Sequence, residues 1–119
     1  MSDEPALPSV PDVRTRLSAA AKTLRESPSL DPAVRGELAQ LLDEFDRVLK
    51  AQAAPPAEVV HLAEGAAHLA EALQQRHDPG LVEASRNRLE RLVFNAEARA
   101  PIAVNLAQAL IDALVGLGI

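Results

Sequence analysis

The segment from Pro101 to Leu117 constrains the fold most, because it is apolar around most of the circumference of a helix. At about 100° per residue, its apolar side chains cover roughly 240° of the helix surface. A narrow polar stripe remains, formed by Asn105, Gln108 and Asp112. A helix of this kind has to be enclosed, either by other helices of its own chain or by a second copy. The sequence therefore predicts a protein assembled around its C-terminal helix.

The composition is typical of an all-α protein. Apolar residues make up 48% of the chain, but aromatic residues make up only 2%, and Ala, Leu, Glu and Arg dominate. These are strong helix formers, whereas sheets favour β-branched and aromatic residues. No stretch alternates polar and apolar residues over the length of a strand. We therefore predict one all-α domain of five amphipathic helices, an antiparallel bundle with a central apolar C-terminal helix.

Helix breakers and capping residues divide the chain. Asp31 and Pro32 indicate an N-cap acid with proline in the first turn, and Ser9 with Asp12 has the spacing of a capping box. Asp78-Pro79-Gly80 is either a turn or a new N-cap, and Pro101 either kinks one long helix or separates two. After a flexible tail, 1–8, the predicted domain is 9–119, with a flexible joint at 53–56 and helices at 9–26, 31–52, 57–77, 81–98 and 101–117.

Charge balance predicts that the first two helices form a hairpin. The first helix carries a net charge of +2 and the second a net charge of −2. Because the connection between them is short, we expect an antiparallel αα-hairpin of oppositely charged helices.

The net charge of the whole chain disfavours several kinds of partner. Twelve basic and 17 acidic residues give a net charge of −5, which opposes binding to nucleic acid and to anionic lipid. The acidic N-terminus lacks the pattern of a signal peptide, and the last helix is too short to span a bilayer. We expect a cytoplasmic protein with no nucleic-acid or membrane partner. The chain has no cysteine, which excludes a thiolate nucleophile and a Cys-ligated zinc site.

One group of residues on the third helix has the side chains of a metal site. His61, Glu64, His68 and Glu71 follow one another in steps of 3, 4 and 3, which places them within about 80° on one helix face. That face lies opposite the apolar seam, so a solvated polar face is the favoured interpretation for a monomer. A divalent metal site and a polar interface are the alternatives. No second helix offers a matching His and Glu pair.

The fourth helix carries an arginine cluster with two interpretations. Glutamates at 83, 90 and 97 balance it, and its members are Arg86, Arg88, Arg91 and Arg99. The first interpretation is a solvated helix face supported by pairs such as Arg86 and Glu90, four residues apart. The second is that the cluster binds an acidic partner segment. The third helix, with glutamates at 58, 64 and 71, is a candidate for that segment within the same chain.

Several residues are candidates for contact with a second copy. Phe94 lies among polar residues instead of on the seam, so either it needs a partner or the last helix crosses it. The stripe of Asn105, Gln108 and Asp112 is either a solvent-facing edge or a polar track across a two-fold axis. The apolar excess of the last helix and the position of Phe94 favour a homodimer or a higher helical oligomer. The predicted interface set comprises Phe94, Asn105, Ile111, Asp112, Leu114 and Val115.

Short motifs give the chain a resemblance to a known family. They are the helix start Leu30-Asp31-Pro32, the spacing of Phe94 and Pro101, and the C-terminal end Ile111-Asp112-Ala113-Leu114 with Leu117-Gly118-Ile119. Over the second helix and the last 30 residues or so, the chain resembles a small bacterial all-helical family that is catalogued only as a domain of unknown function. Members often have His before the proline, where this chain has Ala100, and they are usually shorter. The resemblance implies the all-helical class and no activity.

The sequence favours a non-enzymatic structural or interaction protein. No serine lies in a nucleophile elbow, no glycine loop is suited to phosphate, and no paired carboxylates occur on facing elements. We expect no catalytic residue and no cofactor. The predicted function is a self-associating helical bundle, with a helical protein as a further possible partner. The alternative is a ligand- or metal-binding bundle that uses the His and Glu face of the third helix.

Overall fold

The computed structural model describes residues 9–28, 31–74, 79–96 and 99–116, and these residues form five α-helices. The helices are α1 (Val10–Glu26), α2 (Pro32–Lys50), α3 (Ala57–Gln74), α4 (Pro79–Ala96) and α5 (Pro101–Gly116). The described residues contain no strand. The prediction of an all-α protein with five packed helices is confirmed.

The helix starts follow the proline signals of the sequence. The Asp31 carboxylate accepts a hydrogen bond from the Ala33 N–H at 2.9 Å, so it caps the first turn of α2 as predicted. Ser9 occupies the N-cap position of α1, but its side chain makes no capping hydrogen bond, and the capping-box prediction is wrong there. Helix α4 begins at Pro79, which agrees with a new helix start and not with a turn.

Some predicted boundaries move and others lie outside the described residues. Helix α2 ends at Lys50, two residues before the predicted end at 52. Residues 52–56 are not helical, and the flexibility of the joint at 53–56 stays a prediction. The predicted tail, 1–8, and the predicted last residues of the third, fourth and fifth helices, at 77, 98 and 117, fall on residues that the structure does not describe.

Helices α1 and α2 form the predicted hairpin. Two ion pairs join them, between Arg14 and Asp46 at 2.8 Å and between Arg25 and Asp43 at 2.6 Å. The Arg35 guanidinium of α2 donates a hydrogen bond of 2.7 Å to a backbone carbonyl just after α1, which closes the turn. A cation at this position also interacts favourably with the C-terminal end of the helix dipole. Opposite charge therefore joins the two helices, as the sequence predicts.

Helix α3 contacts each of the other four helices. Eleven of its 18 residues are buried, and five of those are alanine, which allows neighbouring helices to approach closely. Helix α5 contacts α2, α3 and α4, and it buries Ala103, Val104, Ala107, Leu110, Ile111 and Leu114. The core is completed by leucines from every helix and by Phe45 of α2, which is fully buried. The apolar C-terminal helix is thus covered on one side by three helices. The central helix is α3 and not, as predicted, α5, because only α3 contacts all four others.

A short junction separates α4 from α5. The Ala96 carbonyl accepts hydrogen bonds from the N–H groups of Arg99 at 2.9 Å and Ala100 at 3.0 Å. The Ala100 carbonyl then accepts from the Val104 N–H at 2.9 Å, and Pro101 occupies the first position of α5. Proline is well suited to that position because the first N–H of a helix has no intrahelical partner. The alternative of two separate helices is therefore the observed one.

Across the residues that the structure describes, no helix has both the length and the apolar character needed to cross a bilayer.

Candidate functional site

The His and Glu face of α3 is directed towards two neighbouring helices. The side chain of Glu64 is only 14% exposed. Its Oε1 accepts from Nη2 of Arg88 in α4 at 2.8 Å, and its Oε2 accepts from Nη1 of Arg16 in α1 at 3.2 Å. One carboxylate on the central helix is therefore held from both sides.

Arg16 also binds Glu71, two turns further along α3. Its Nη2 lies 2.6 Å from Glu71 Oε1, and its Nε lies 3.1 Å from Glu71 Oε2, which makes the pair bidentate. A planar guanidinium favours this two-point geometry with a carboxylate. We call Arg16, Glu64, Glu71 and Arg88 the Arg–Glu cluster. Its two positive and two negative charges balance.

The electrostatics of the cluster favour the charged forms. Burial alone would raise the pKa of Glu64, but the hydrogen bonds and charges of Arg88 and Arg16 outweigh it and lower that pKa. The pKa of Arg16 is raised, chiefly by the hydrogen bond to Glu71, against the opposing effect of burial. The charged forms of Glu64 and Arg16 are therefore favoured, and the ion pairs of the cluster join α1, α3 and α4.

This arrangement corrects the interpretation of the predicted metal ligands His61, Glu64, His68 and Glu71. All four residues are partly buried, so the prediction of a solvated face is wrong. No three His, Asp or Glu side chains in the described ranges are placed to hold a metal ion. Arginine takes the carboxylate oxygens that a metal would need, because α1 and α4 both pack on α3. The predicted metal set is not assembled.

Two members of the predicted arginine cluster bind glutamates of α3. One lies in α4 and the other lies in the junction that follows it. Arg88 contacts Glu64, and Arg99 Nη1 lies 3.1 Å from Glu58 Oε2. The interpretation in which the third helix is the acidic partner is therefore confirmed for these two residues. Arg91 is exposed, as expected for a solvated face. The Arg99 side chain is 75% exposed, so its ion pair is far more accessible to water than those of Glu64.

Large apolar side chains remain exposed on α4 and α5. Phe94 is 78% exposed, Ile102 67% and Val115 59%, and we call these three residues the exposed apolar set. Phe94 borders a shallow depression formed with polar neighbours on the same helix, including Asn87 and Arg91. Helix α5 does not cover Phe94, so the interpretation in which the last helix crosses this residue is wrong.

The predicted interface set divides into two parts. Ile111 and Leu114 are buried in the core of their own chain, so assigning them to an interface is wrong for this structure. Asn105 and Asp112 are exposed, as are Phe94 and Val115. The polar stripe of α5 is a solvent-facing edge within this chain, where Gln108 Nε2 donates to an Asp112 carboxylate oxygen at 3.1 Å. Contact with a second copy stays a prediction.

The sequence reasoning missed Arg16 as a member of the cluster. Arg16 flanks the buried residues Val13, Leu17 and Ala20, so its stem runs along the edge of the α1 seam. A single arginine beside an apolar seam was the available signal, but periodicity does not identify the acid that it meets.

Comparisons of the chain with protein-family models, with curated proteins and with solved structures find no match.

Proposed function

We propose that this protein is a non-enzymatic interaction protein that self-associates through α4 and α5. The observation that carries the proposal is the location of the exposed apolar set, Phe94, Ile102 and Val115. All three residues lie on these two helices. In α1, α2 and α3, by contrast, every described Val, Leu and Phe side chain is buried or partly buried.

Covering such side chains is favourable because apolar surface removed from water contributes about 25 cal/mol per Å². Single exposed apolar residues are common on protein surfaces, but here all three lie on two helices that contact each other. The apolar excess that the sequence places in the last helix is thus only partly used by the chain's own core. A second copy is the simplest partner because it is present wherever the protein is.

The Arg–Glu cluster supports the non-enzymatic part of the proposal. Arginines bind the carboxylates of Glu64 and Glu71, and this pairing joins helices. A general acid or base instead needs a carboxyl group that can reach a substrate proton. The cluster is better suited to holding the fold than to chemistry. The proposal includes the cytoplasmic location predicted from the sequence.

The test is the molar mass in solution, measured by size-exclusion chromatography with light scattering over a dilution series from about 1 µM to about 1 mM. We expect the mass to rise from the 12.6 kDa of one chain towards twice that value. A mass of one chain at every concentration would contradict the proposal. Substituting all three members of the exposed apolar set by Gln should keep the protein monomeric without loss of helix content.

A further inference from the structure

We propose that the dimer forms when α5 of one copy packs antiparallel on α5 of a second copy. The contact residues are Ile102, Leu106, Ala109 and Ala113, which we call the α5 stripe. This inference rests on the proposed self-association and names the surface and the arrangement that would produce it.

The α5 stripe has the spacing of a helix-pairing seam. Its residues follow one another in steps of 4, 3 and 4, which places them within about 60° on one side of the helix. Ile102 is exposed, and the other three residues are partly exposed. The six buried residues of α5 lie on a different side, where they face α2, α3 and α4. A second helix can therefore reach the stripe without displacing the core.

The sizes of the stripe residues complement each other only in the antiparallel direction. In an antiparallel pair with a two-fold axis between Leu106 and Ala109, Ile102 faces Ala113 and Leu106 faces Ala109 of the second copy. Every layer then combines one large and one small side chain, which favours close packing. A parallel pair would place Ile on Ile and Leu on Leu, followed by two layers of Ala on Ala.

The charge on α5 favours the same direction. Asp112 is the only charged residue of α5 and is exposed. The antiparallel pair places its carboxylate beside the first turn of α5 in the second copy, where the helix dipole contributes partial positive charge. Asn105 of the second copy is then close enough for its amide to donate a hydrogen bond to that carboxylate. A parallel pair would instead place this carboxylate near the C-terminal end of the second helix, where the dipole contributes partial negative charge.

The dimensions of α5 limit the strength of such a dimer. Its 16 residues give a contact about 24 Å long. A single pair of helices of this length gives an interface at the small end of the range for specific complexes. We therefore expect a dimer that dissociates on dilution into the micromolar range.

Cysteine cross-linking tests the direction of pairing, and the natural absence of cysteine leaves no background reaction. We expect an equal mixture of the Ile102→Cys and Ala113→Cys variants to form a disulfide-linked dimer under mild oxidation. Neither variant alone should do so, because the antiparallel pair separates each position from its own copy by about 16 Å along the axis. Cross-linking of Ile102→Cys to itself would overturn the antiparallel arrangement.

Charge substitution tests the surface, with Ala19 as the control. Ile102→Glu places a carboxylate in the stripe, at a position in the first turn of α5 where it does not oppose the helix dipole. Ala19→Glu places the same charge at an exposed position of α1, a helix that does not contact α5. We expect the first substitution to weaken dimerisation at least tenfold and the second to change it less than threefold, with unchanged circular dichroism.

The outcomes separate this inference from the proposed function. A wild-type protein that dimerises but is unaffected by Ile102→Glu refutes the α5 pairing and leaves self-association standing. The same holds if Ala19→Glu weakens dimerisation as much as Ile102→Glu does. A wild-type protein that stays monomeric up to about 1 mM refutes both.

Discussion

Replacing Glu64 by Gln should weaken the fold because Glu64 joins three helices. The substitution keeps the size of the side chain but removes the charge that Arg16 and Arg88 both contact. A hydrogen bond to a charged group contributes about 1.5 to 3 kcal/mol, and a neutral one about 1 kcal/mol. Gln retains one acceptor oxygen, and both arginines are partly exposed, so water recovers part of the loss. We expect a loss of about 1.5 kcal/mol in the free energy of unfolding.

The expected loss corresponds to a measurable shift in melting temperature. With an unfolding entropy of about 2.1 cal/mol/K per residue, a domain of 119 residues loses about 4 °C for each kcal/mol. The Glu64→Gln protein should therefore melt about 6 °C below the wild type. Thermal unfolding followed by far-UV circular dichroism is the suitable assay, because the chain has neither Trp nor Tyr for fluorescence.

The pH dependence of this loss follows from the lowered pKa of Glu64. A carboxyl whose pKa is lower in the folded state than its ordinary value of 4.5 stabilises the fold fully above that value. The stabilisation is lost as the pH falls through the folded-state pKa, because the proton then binds both states. The difference in stability between wild type and Glu64→Gln should therefore be constant near neutral pH and should shrink below about pH 4.5.

Glu58→Gln is the matched control for Glu64→Gln. Glu58 lies on the same helix and pairs with Arg99, whose side chain is largely exposed to water. Exposed ion pairs contribute little to stability, so this variant should unfold like the wild type. An equal loss for the two variants would refute the reasoning from burial and double contact. A Glu64→Gln loss that did not change at low pH would refute the electrostatic account.

Three other substitutions have defined expectations, each measured by urea unfolding. Gly36→Ala, at an exposed position in α2 with no atom within 4 Å of the new Cβ, should stabilise the protein by about 0.5 to 1 kcal/mol, and no gain would contradict the helix-propensity argument. Gly65→Ala, whose Cβ would lie 3.0 Å from a methyl carbon of Leu92 and 3.3 Å from one of Leu89, should instead destabilise it by about 1 kcal/mol, and a gain would show that the leucines move freely. Ser85→Ala should leave stability unchanged or raise it by up to about 1 kcal/mol, because the buried hydroxyl has no hydrogen-bond partner among the described residues; a loss would indicate a partner for that hydroxyl.

The sequence predicts the helices of this protein well because their limits are local. Asp31 and Pro32 start α2, and Pro101 starts α5, through backbone chemistry that needs no distant contact. The opposite charges of α1 and α2 likewise predict their pairing. The surroundings of α3 are different, because periodicity identifies a face but not the neighbour that meets it. The contact of Glu64 with Arg16 spans 48 positions, and no pattern within one helix encodes it.

The same limit explains why some apolar residues of α5 are buried and others are exposed. The apolar arc of this helix predicts that it is enclosed, and Ile111 and Leu114 are buried as that arc requires. Three neighbouring helices cover only part of the arc, so Ile102 and Val115 at its edges remain exposed. The number and position of the covering helices depend on the whole packing arrangement. They are therefore not predictable from the periodicity of α5.

The Arg–Glu cluster determines how α3 is aligned along its axis. Five of the eleven buried residues of α3 are alanine, and these small side chains offer little resistance to a slip of one turn. Such a slip would move Glu64 by about 5.4 Å and separate it from guanidinium groups that it now meets at 2.8 Å and 3.2 Å. The ion pairs of Glu64 therefore help to fix the position of α3 along its axis. They also couple the positions of α1 and α4, although Glu64 belongs to neither of those helices.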